Sequence, residues 1–218
     1  MSTRSTVILS LSLLLLVAAV SAAAFPALPD QVASHWDAAG QVNGYMPKTD
    51  DLLLLPGIMA ALVALLFLMP LIDPLGKNIA AFRPQYNLAV LCLCLMLAIV
   101  RGITLAWNLG FRFPMGVLLS LVIAVCFYFL GAILPHAKRN WTFGIRTPWT
   151  LSSDVVWEKT HRLGSWLFRA SAVVILASAF FPDWVLTILL ADMSILVVWV
   201  VAYSYWEYRK GEGSAAGK

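Results

Sequence analysis

The chain has 218 residues, 61% of them hydrophobic and 12% charged, with a net charge of +4 and a mean hydropathy of +0.84. A soluble domain carries about twice that share of charge, and a disordered chain is poor in apolar residues; both classes are excluded. The basic residues form no patch of the kind that binds nucleic acid, so no nucleic-acid partner is expected. Runs of about 20 apolar residues mark membrane-spanning helices, and the chain reads as an all-α polytopic membrane protein.

Six apolar segments follow one another at 6–25, 52–72, 88–110, 115–134, 164–181 and 184–206, each 18 to 23 residues long. At ~1.5 Å per residue each can cross a ~30 Å hydrocarbon layer. In the first, Arg4, an apolar stretch and the small residues 21–24 also fit a cleavable secretory signal, whose removal would leave five spans. The continuation of the apolar run to Phe25 favours a span. Pro56 and Pro70 lie near the ends of the second, where kinks are tolerated, while Pro114 opens the fourth and Pro135 closes it.

Orientation follows from lysine and arginine. With the N-terminus inside, Arg4, Lys77, Arg83, Lys138, Arg139, Arg146, Lys159, Arg162, Arg209, Lys210 and Lys218 are cytoplasmic, eleven residues against Lys48 and Arg112 outside. This asymmetry predicts six transmembrane helices with both termini cytoplasmic. Two regions follow: 1–72, holding the first two spans and an outer loop 26–51, and 73–218, holding the last four and an inner loop 135–163. Spans 3–4 and 5–6 are expected to be antiparallel neighbours, and the tail GEGSAAGK to be solvated. Cys92, Cys94 and Cys126 all lie in apolar runs; Cys92 and Cys94 face nearly opposite sides of a helix and cannot share a metal. Neither a metal site nor a cofactor is expected.

In the outer loop, Asp30 after Pro29 can cap a short amphipathic helix that Gly40 terminates, with Asn43-Gly44 as a turn. Val32 and Trp36 would lie on the membrane surface. His35 and Asp37 diverge, and Lys48 closes the loop. The helix reads either as a surface-lying lid or as a contact site for a ligand or toxin.

The inner loop combines Trp141, Phe143, Trp149 and Trp157 with five lysines and arginines. Gly144 and Pro148 make 140–150 turn-rich and non-helical. Ser152 or Ser153 can cap a helix whose first turn holds Asp154. Asp154, Glu158, His161 and Arg162 then form a polar stripe opposite Val156 and Trp157, with Glu158–Arg162 a favourable i,i+4 pair. Such an interfacial helix leads into the fifth span. The loop is either an anchor at lipid headgroups or a docking surface, in which a bidentate Arg146 would bind Asp154 or Glu158.

Three charged residues fall within spans. Arg101 shares a face with Thr104 and Asn108, and Asp192 lies at matching depth in the sixth span, ~14 Å from the outer end by the helix rise. Lone charges there are costly and face the bundle interior, so Arg101 and Asp192 are expected to pair. The pair is either structural or part of a polar path. Arg169 can snorkel to the headgroups.

The inner string resembles the signature of the SdpI family, bacterial membrane proteins named for immunity to a secreted peptide toxin. The family pattern falls on Asn140, Gly144, Arg146, Thr147, Pro148, Trp149, Thr150, Trp157, Thr160, His161 and Arg162. The outer string from Leu28 to Lys48 resembles a small domain of unknown function that often precedes this motif, departing from it at Val32-Ala33. The resemblance implies a plasma-membrane protein that protects against a membrane-active peptide and holds a cytoplasmic repressor at the membrane. No catalytic residue is implied, and no nucleophile–base pair is readable, so a non-enzyme is expected. The competing reading is a small transporter or flippase that uses Arg101, Asn108 and Asp192.

Overall fold

The computed structural model describes residues 1–37 and 40–215, without the side chains of 212–215. Residues 216–218, the end of the tail read as solvated, lie outside the described residues. The order is α1 (Thr3–Ala24), β1 (Gln31–Trp36), β2 (Val42–Pro47), α2 (Lys48–Ile72), α3 (Gly76–Ala81), α4 (Arg83–Asn108), α5 (Met115–Ile133), α6 (Pro148–Ser152), α7 (Asp154–Ser178) and α8 (Val185–Ala215). The frame is mostly helical. Among the described residues α1, α2, α4, α5 and α8 are long and apolar enough to cross a membrane, which makes this a multi-pass membrane protein. The expectation of six such helices meets five: α7 has 25 residues, but Arg162 and Arg169 lie along it and keep it below that apolarity.

Packing divides the six long helices into two groups of three. α1 lies against α2 and α4, α5, α7 and α8 pack on one another, and α4 against α5 joins the groups. The expected antiparallel pairs α4–α5 and α7–α8 are both in contact. α1 approaches through a stripe of Thr6, Ser10, Val17 and Ser21, all buried; small side chains let helices come close where water supplies no driving force. At the α5–α7 contact the Ser165 hydroxyl donates to the Gly131 carbonyl at 2.6 Å, and a Cβ on Gly131 would stand 2.9 Å from the Ser165 carbonyl oxygen. Cys92 and Cys94 diverge as expected. The Cys92 thiol lies 3.9 Å from Cys126 across the α4–α5 seam, whereas Cys94 belongs to a core with Val17, Met59 and Val63.

The region expected as a short helix, 30–40, is instead an antiparallel hairpin, so the fold is not wholly α. The turn is built on Asp37, whose carboxylate accepts the Gln41 N–H at 2.9 Å, and on Gly40 at φ +73°, a left-handed conformation that favours glycine. Asn43-Gly44, expected as the turn, lies within β2. Gly44 faces His35 so closely that a Cβ would stand 2.8 Å from the His35 Cβ. The register is regular across Val32 and Ala33, both buried, and slips between Ala33 and His35 and again between His35 and Trp36. Val32, expected on the membrane surface, is fully buried against Leu28 and Leu105.

What selects the hairpin is distant in sequence. The Asn108 carboxamide at the end of α4 accepts the Ala33 N–H at 2.7 Å and donates to the Ala33 carbonyl at 3.1 Å. It thereby supplies the strand pairing that a buried edge would otherwise lack. Asn108 is thus a clasp for the hairpin. Lys48 ties down the other end, pairing with Asp30 at 3.0 Å.

Arg101 does not pair with Asp192. Its side chain is 2% exposed; Nη1 donates to Asp51 Oδ2 at 2.8 Å and Nε to the Ser21 hydroxyl at 2.9 Å. Three helices therefore meet on one guanidinium: α4 carries it, α2 brings the carboxylate and α1 the hydroxyl. Asp192 lies on α8, which packs on α7 and α5, and its Oδ2 is buried without a hydrogen-bond partner. Equal depth, read from the helix rise, carries no information on which helices are neighbours. Removing one member of a buried pair leaves a charge uncompensated and costs about 3–5 kcal/mol, whereas replacing both by apolar groups is often neutral. Asp51→Ala is therefore expected to lower the thermal midpoint and the membrane yield sharply, and Arg101→Met with Asp51→Leu to recover most of both; a double variant no better than Asp51→Ala would remove the pair from its structural role.

Candidate functional site

The motif loop runs from the end of α5 to the start of α7 and is organised by buried polar side chains. Asn140 is fully buried. Its carbonyl oxygen accepts the N–H groups of Thr142 at 2.8 Å and Phe143 at 2.6 Å, and its amide donates to the carbonyls of Lys138 and Phe143. One side chain thus satisfies four backbone groups and closes the turn. Thr147 caps α6 through a reciprocal box with Thr150, and the Thr150 hydroxyl also donates to the Ile145 carbonyl at 2.8 Å. The run 140–150, expected to be non-helical throughout, is therefore helical from Pro148 onward. Ser153 caps α7 as expected, accepting from the Val156 N–H.

The centre of the loop is a histidine on a tryptophan. Trp157 and His161, one turn apart on α7, stack with ring centroids 4.0 Å apart. The Trp157 indole N–H donates to the Ala137 carbonyl at 2.8 Å. His161 Nε2 accepts the Ile145 N–H at 3.0 Å, which puts the ring proton on Nδ1, 2.8 Å from the Trp157 carbonyl. The polar stripe expected on α7 therefore loses one member: Asp154, Glu158 and Arg162 face outward, but His161 is buried. Burial holds its pKa down at about 4, from an ordinary 6.5. Gly144 closes over this pair at φ +117°, and a Cβ there would lie 2.4 Å from His161 Nε2. Gly164 plays the same part on the next turn, where a Cβ would meet Ile145 Cδ1 at 2.4 Å.

Several motif residues face outward or couple the loop to its surroundings. Arg146 is exposed and donates to the Trp141 carbonyl. It does not fork onto Asp154 or Glu158, because Arg139 takes Asp154 at 2.7 Å and Arg162 takes Glu158 at 2.8 Å. Trp149 packs on Tyr205 of α8 at 5.0 Å, and the Thr147 and Ser204 hydroxyls meet at 3.1 Å. Thr160 is fully buried, with its hydroxyl lacking a partner.

Residues outside the motif complete the arrangement. Asp73, at the end of α2, accepts through Oδ2 from the Trp141 N–H at 2.9 Å and the Thr142 hydroxyl at 2.7 Å. Asn78 of α3 donates to the Arg139 carbonyl at 2.7 Å, and Lys159 meets Glu207 of α8 at 2.6 Å. The one sequence signal for Asp73 is a carboxylate placed directly after an apolar span and before Pro74.

In the second candidate region, His35 Nδ1 contacts Asn43 Oδ1 at 2.5 Å and Trp36 packs edge-on against Trp107 at 5.8 Å. Pro29 lines a shallow depression with Tyr45 and Arg112. The two loops lie at opposite ends of the bundle and form no common site.

The His161 arrangement requires a neutral ring, since a proton on Nε2 would oppose the Ile145 N–H. An unfolded histidine takes its proton near 6.5 and the folded one near 4. Stability is therefore full above pH ~6.5 and falls as pH drops toward 4, by up to roughly 3 kcal/mol. Thermal unfolding between pH 7.5 and 4.5 is expected to show this loss. His161→Gln should be less stable at pH 7.5 but lose that part of the slope, and an unchanged slope would remove His161 as its source. Gly144→Ala, strained in φ and in contact with His161, is expected to destabilise the loop by at least about 1–3 kcal/mol, read as faster proteolysis within 140–150.

Comparison with known proteins places both loops. Residues 136–204 match the SdpI/YfhL protein family, and residues 12–60 match a domain of unknown function, DUF1648. The immunity protein SdpI of Bacillus subtilis (strain 168) is 25% identical over 189 residues, covering 86% of this chain and 88% of that protein. No solved structure matches the chain. The first match takes in nearly all of the motif loop together with α7 and most of α8, so a region similar to the SdpI/YfhL family follows one similar to DUF1648, the pairing that the two long loops resemble.

Proposed function

We propose that this chain is an immunity protein of the SdpI type, seated in a bacterial cytoplasmic membrane, which protects its cell from a secreted, membrane-active peptide by binding rather than by catalysis. The alignment with the Bacillus subtilis immunity protein supports this over most of both chains. In the same reading α7 crosses as a further span, packed between α5 and α8, giving six spans with both termini in the cytoplasm. The eleven-to-two distribution of lysine and arginine supports that orientation.

The observation that carries the role of the motif loop is the contrast between its interior and its face. Asn140, Trp157 and His161 are 0–2% exposed, whereas Trp141 is 55% exposed and its carbonyl accepts from the exposed Arg146. A fixed loop presenting a tryptophan and an arginine has the composition of an interface hot spot. It serves as the docking face for a cytoplasmic protein, such as a repressor held at the membrane.

Two measurements test these statements. In a chain freed of its three cysteines, Gln31→Cys is expected to react with an impermeant thiol reagent in intact cells, and Ser152→Cys only after permeabilisation; the opposite pattern would overturn the orientation. Cells carrying the chain are expected to survive challenge by secreted peptide toxins better than cells without it. The double change Trp141→Ala with Arg146→Glu should abolish capture of a cytoplasmic partner at unchanged membrane abundance, and undiminished capture would exclude this face as the docking surface.

A further inference from the structure

At the hairpin end of the bundle a cavity of about 390 Å³ opens between the two helix groups. The hairpin and the end of α4 form one wall, through Trp36 and Trp107. The other comes from the starts of α5 and α8, through Phe113, Gly116, Asp183 and Leu189. The volume lies within the range of sites that hold small ligands and is enough for two or three amino-acid side chains. Three aromatic rings run along it in edge-to-face contact, Trp36 to Trp107 at 5.8 Å and Trp107 to Phe113 at 5.7 Å.

Two features specify the occupant. The Trp36 indole N–H is buried and has no acceptor, a deficit that a bound carbonyl would fill. The charged residues lining the cavity are both carboxylates, Asp37 and Asp183, with no lysine, arginine or histidine among the described lining residues. Asp37 already accepts the Gln41 N–H, while Asp183 stands exposed at the start of α8. Apolar walls, a waiting hydrogen-bond donor and an acidic rim together complement an apolar chain that bears backbone carbonyls and a positive charge.

We propose that this cavity binds a segment of a membrane-active peptide that carries a lysine or arginine, its apolar side chains between α5 and α8, a backbone carbonyl on Trp36 and its cation at Asp183. The choice of a peptide as occupant rests on the immunity reading; the cavity and its charge do not.

The test uses the full chain in dodecyl maltoside micelles and a fluorescein-labelled peptide of leucine and lysine, with its leucine–glutamate counterpart as control. Fluorescence anisotropy is expected to show saturable binding of the lysine peptide to protein-loaded but not empty micelles, and none of the glutamate peptide. Asp183→Asn, at an exposed position, should weaken binding roughly tenfold. Gly116→Leu should abolish it by filling the cavity, since a Cβ at Gly116 meets nothing within 4 Å and the side chain starts into open space. Equal binding to both peptides, or to both variants and the parent, overturns the proposal. Absence of lysine-peptide binding likewise overturns it, and saturable binding of a fluorescent phosphocholine lipid in its place would assign the cavity to lipid headgroups instead. The same variants in the toxin survival assay separate the two claims. Full protection by both leaves immunity standing and removes the cavity from it; cavity-dependent peptide binding in a chain that protects against no toxin removes immunity and keeps the site.

Discussion

A guanidinium buried among three apolar helices is the constraint around which the first half of the molecule is arranged. Arg101 is buried, so its charge must be met within the bundle, and the partners of Nη1 and Nε lie on two other helices, Asp51 on α2 and Ser21 on α1, while Nη2 is buried without a partner. Meeting them fixes how far each helix advances along its axis. That advance in turn sets where α4 ends, and so where Asn108 stands when it clasps Ala33. The hairpin owes its position to a chain of polar contacts that starts at one arginine.

The motif loop follows the same rule at the opposite end. Irregular backbone beside a membrane must have its N–H and C=O groups satisfied locally, and here short side chains do so: Asn140 for the turn, Thr147 and Thr150 for α6, and His161 for the Ile145 N–H. These residues are spent on folding the loop, which leaves Trp141, Arg146 and Pro148 to face outward. Asp73 reaches the same loop from α2, so its shape depends on both helix groups.

Hydropathy made the helical frame legible because a membrane imposes length and apolarity on every span. It placed α2, α4 and α5 to within a few residues at most boundaries. α7 is the least apolar of the long helices, since its apolar stretch begins after Arg162 and still contains Arg169. The hairpin was not legible, since its six-residue strands carry weak alternation and their deciding contact comes from Asn108, 75 positions away. Depth arithmetic put Arg101 and Asp192 level but carried no information on which helices touch. In the motif loop the spacing identified the residues but misjudged His161. A histidine every seventh position from an acidic residue looks like part of a polar face, and only the stacking on Trp157 shows that it is a core side chain.

α8 joins the two ends of the protein mechanically. One unbroken helix has Leu189 in the wall of the cavity and Ser204, Tyr205 and Glu207 in contact with the motif loop and α7. Between Leu189 and Ser204 the helix rise amounts to ~22 Å, which makes α8 a lever arm. A pivot of about 3° at Leu189 carries Ser204 through roughly 1 Å, as much as separates a hydrogen bond from a broken one. The Thr147–Ser204 contact, at 3.1 Å, is therefore a fine-toothed gauge of α8 inclination, and it sits at the far end of the rod from the cavity.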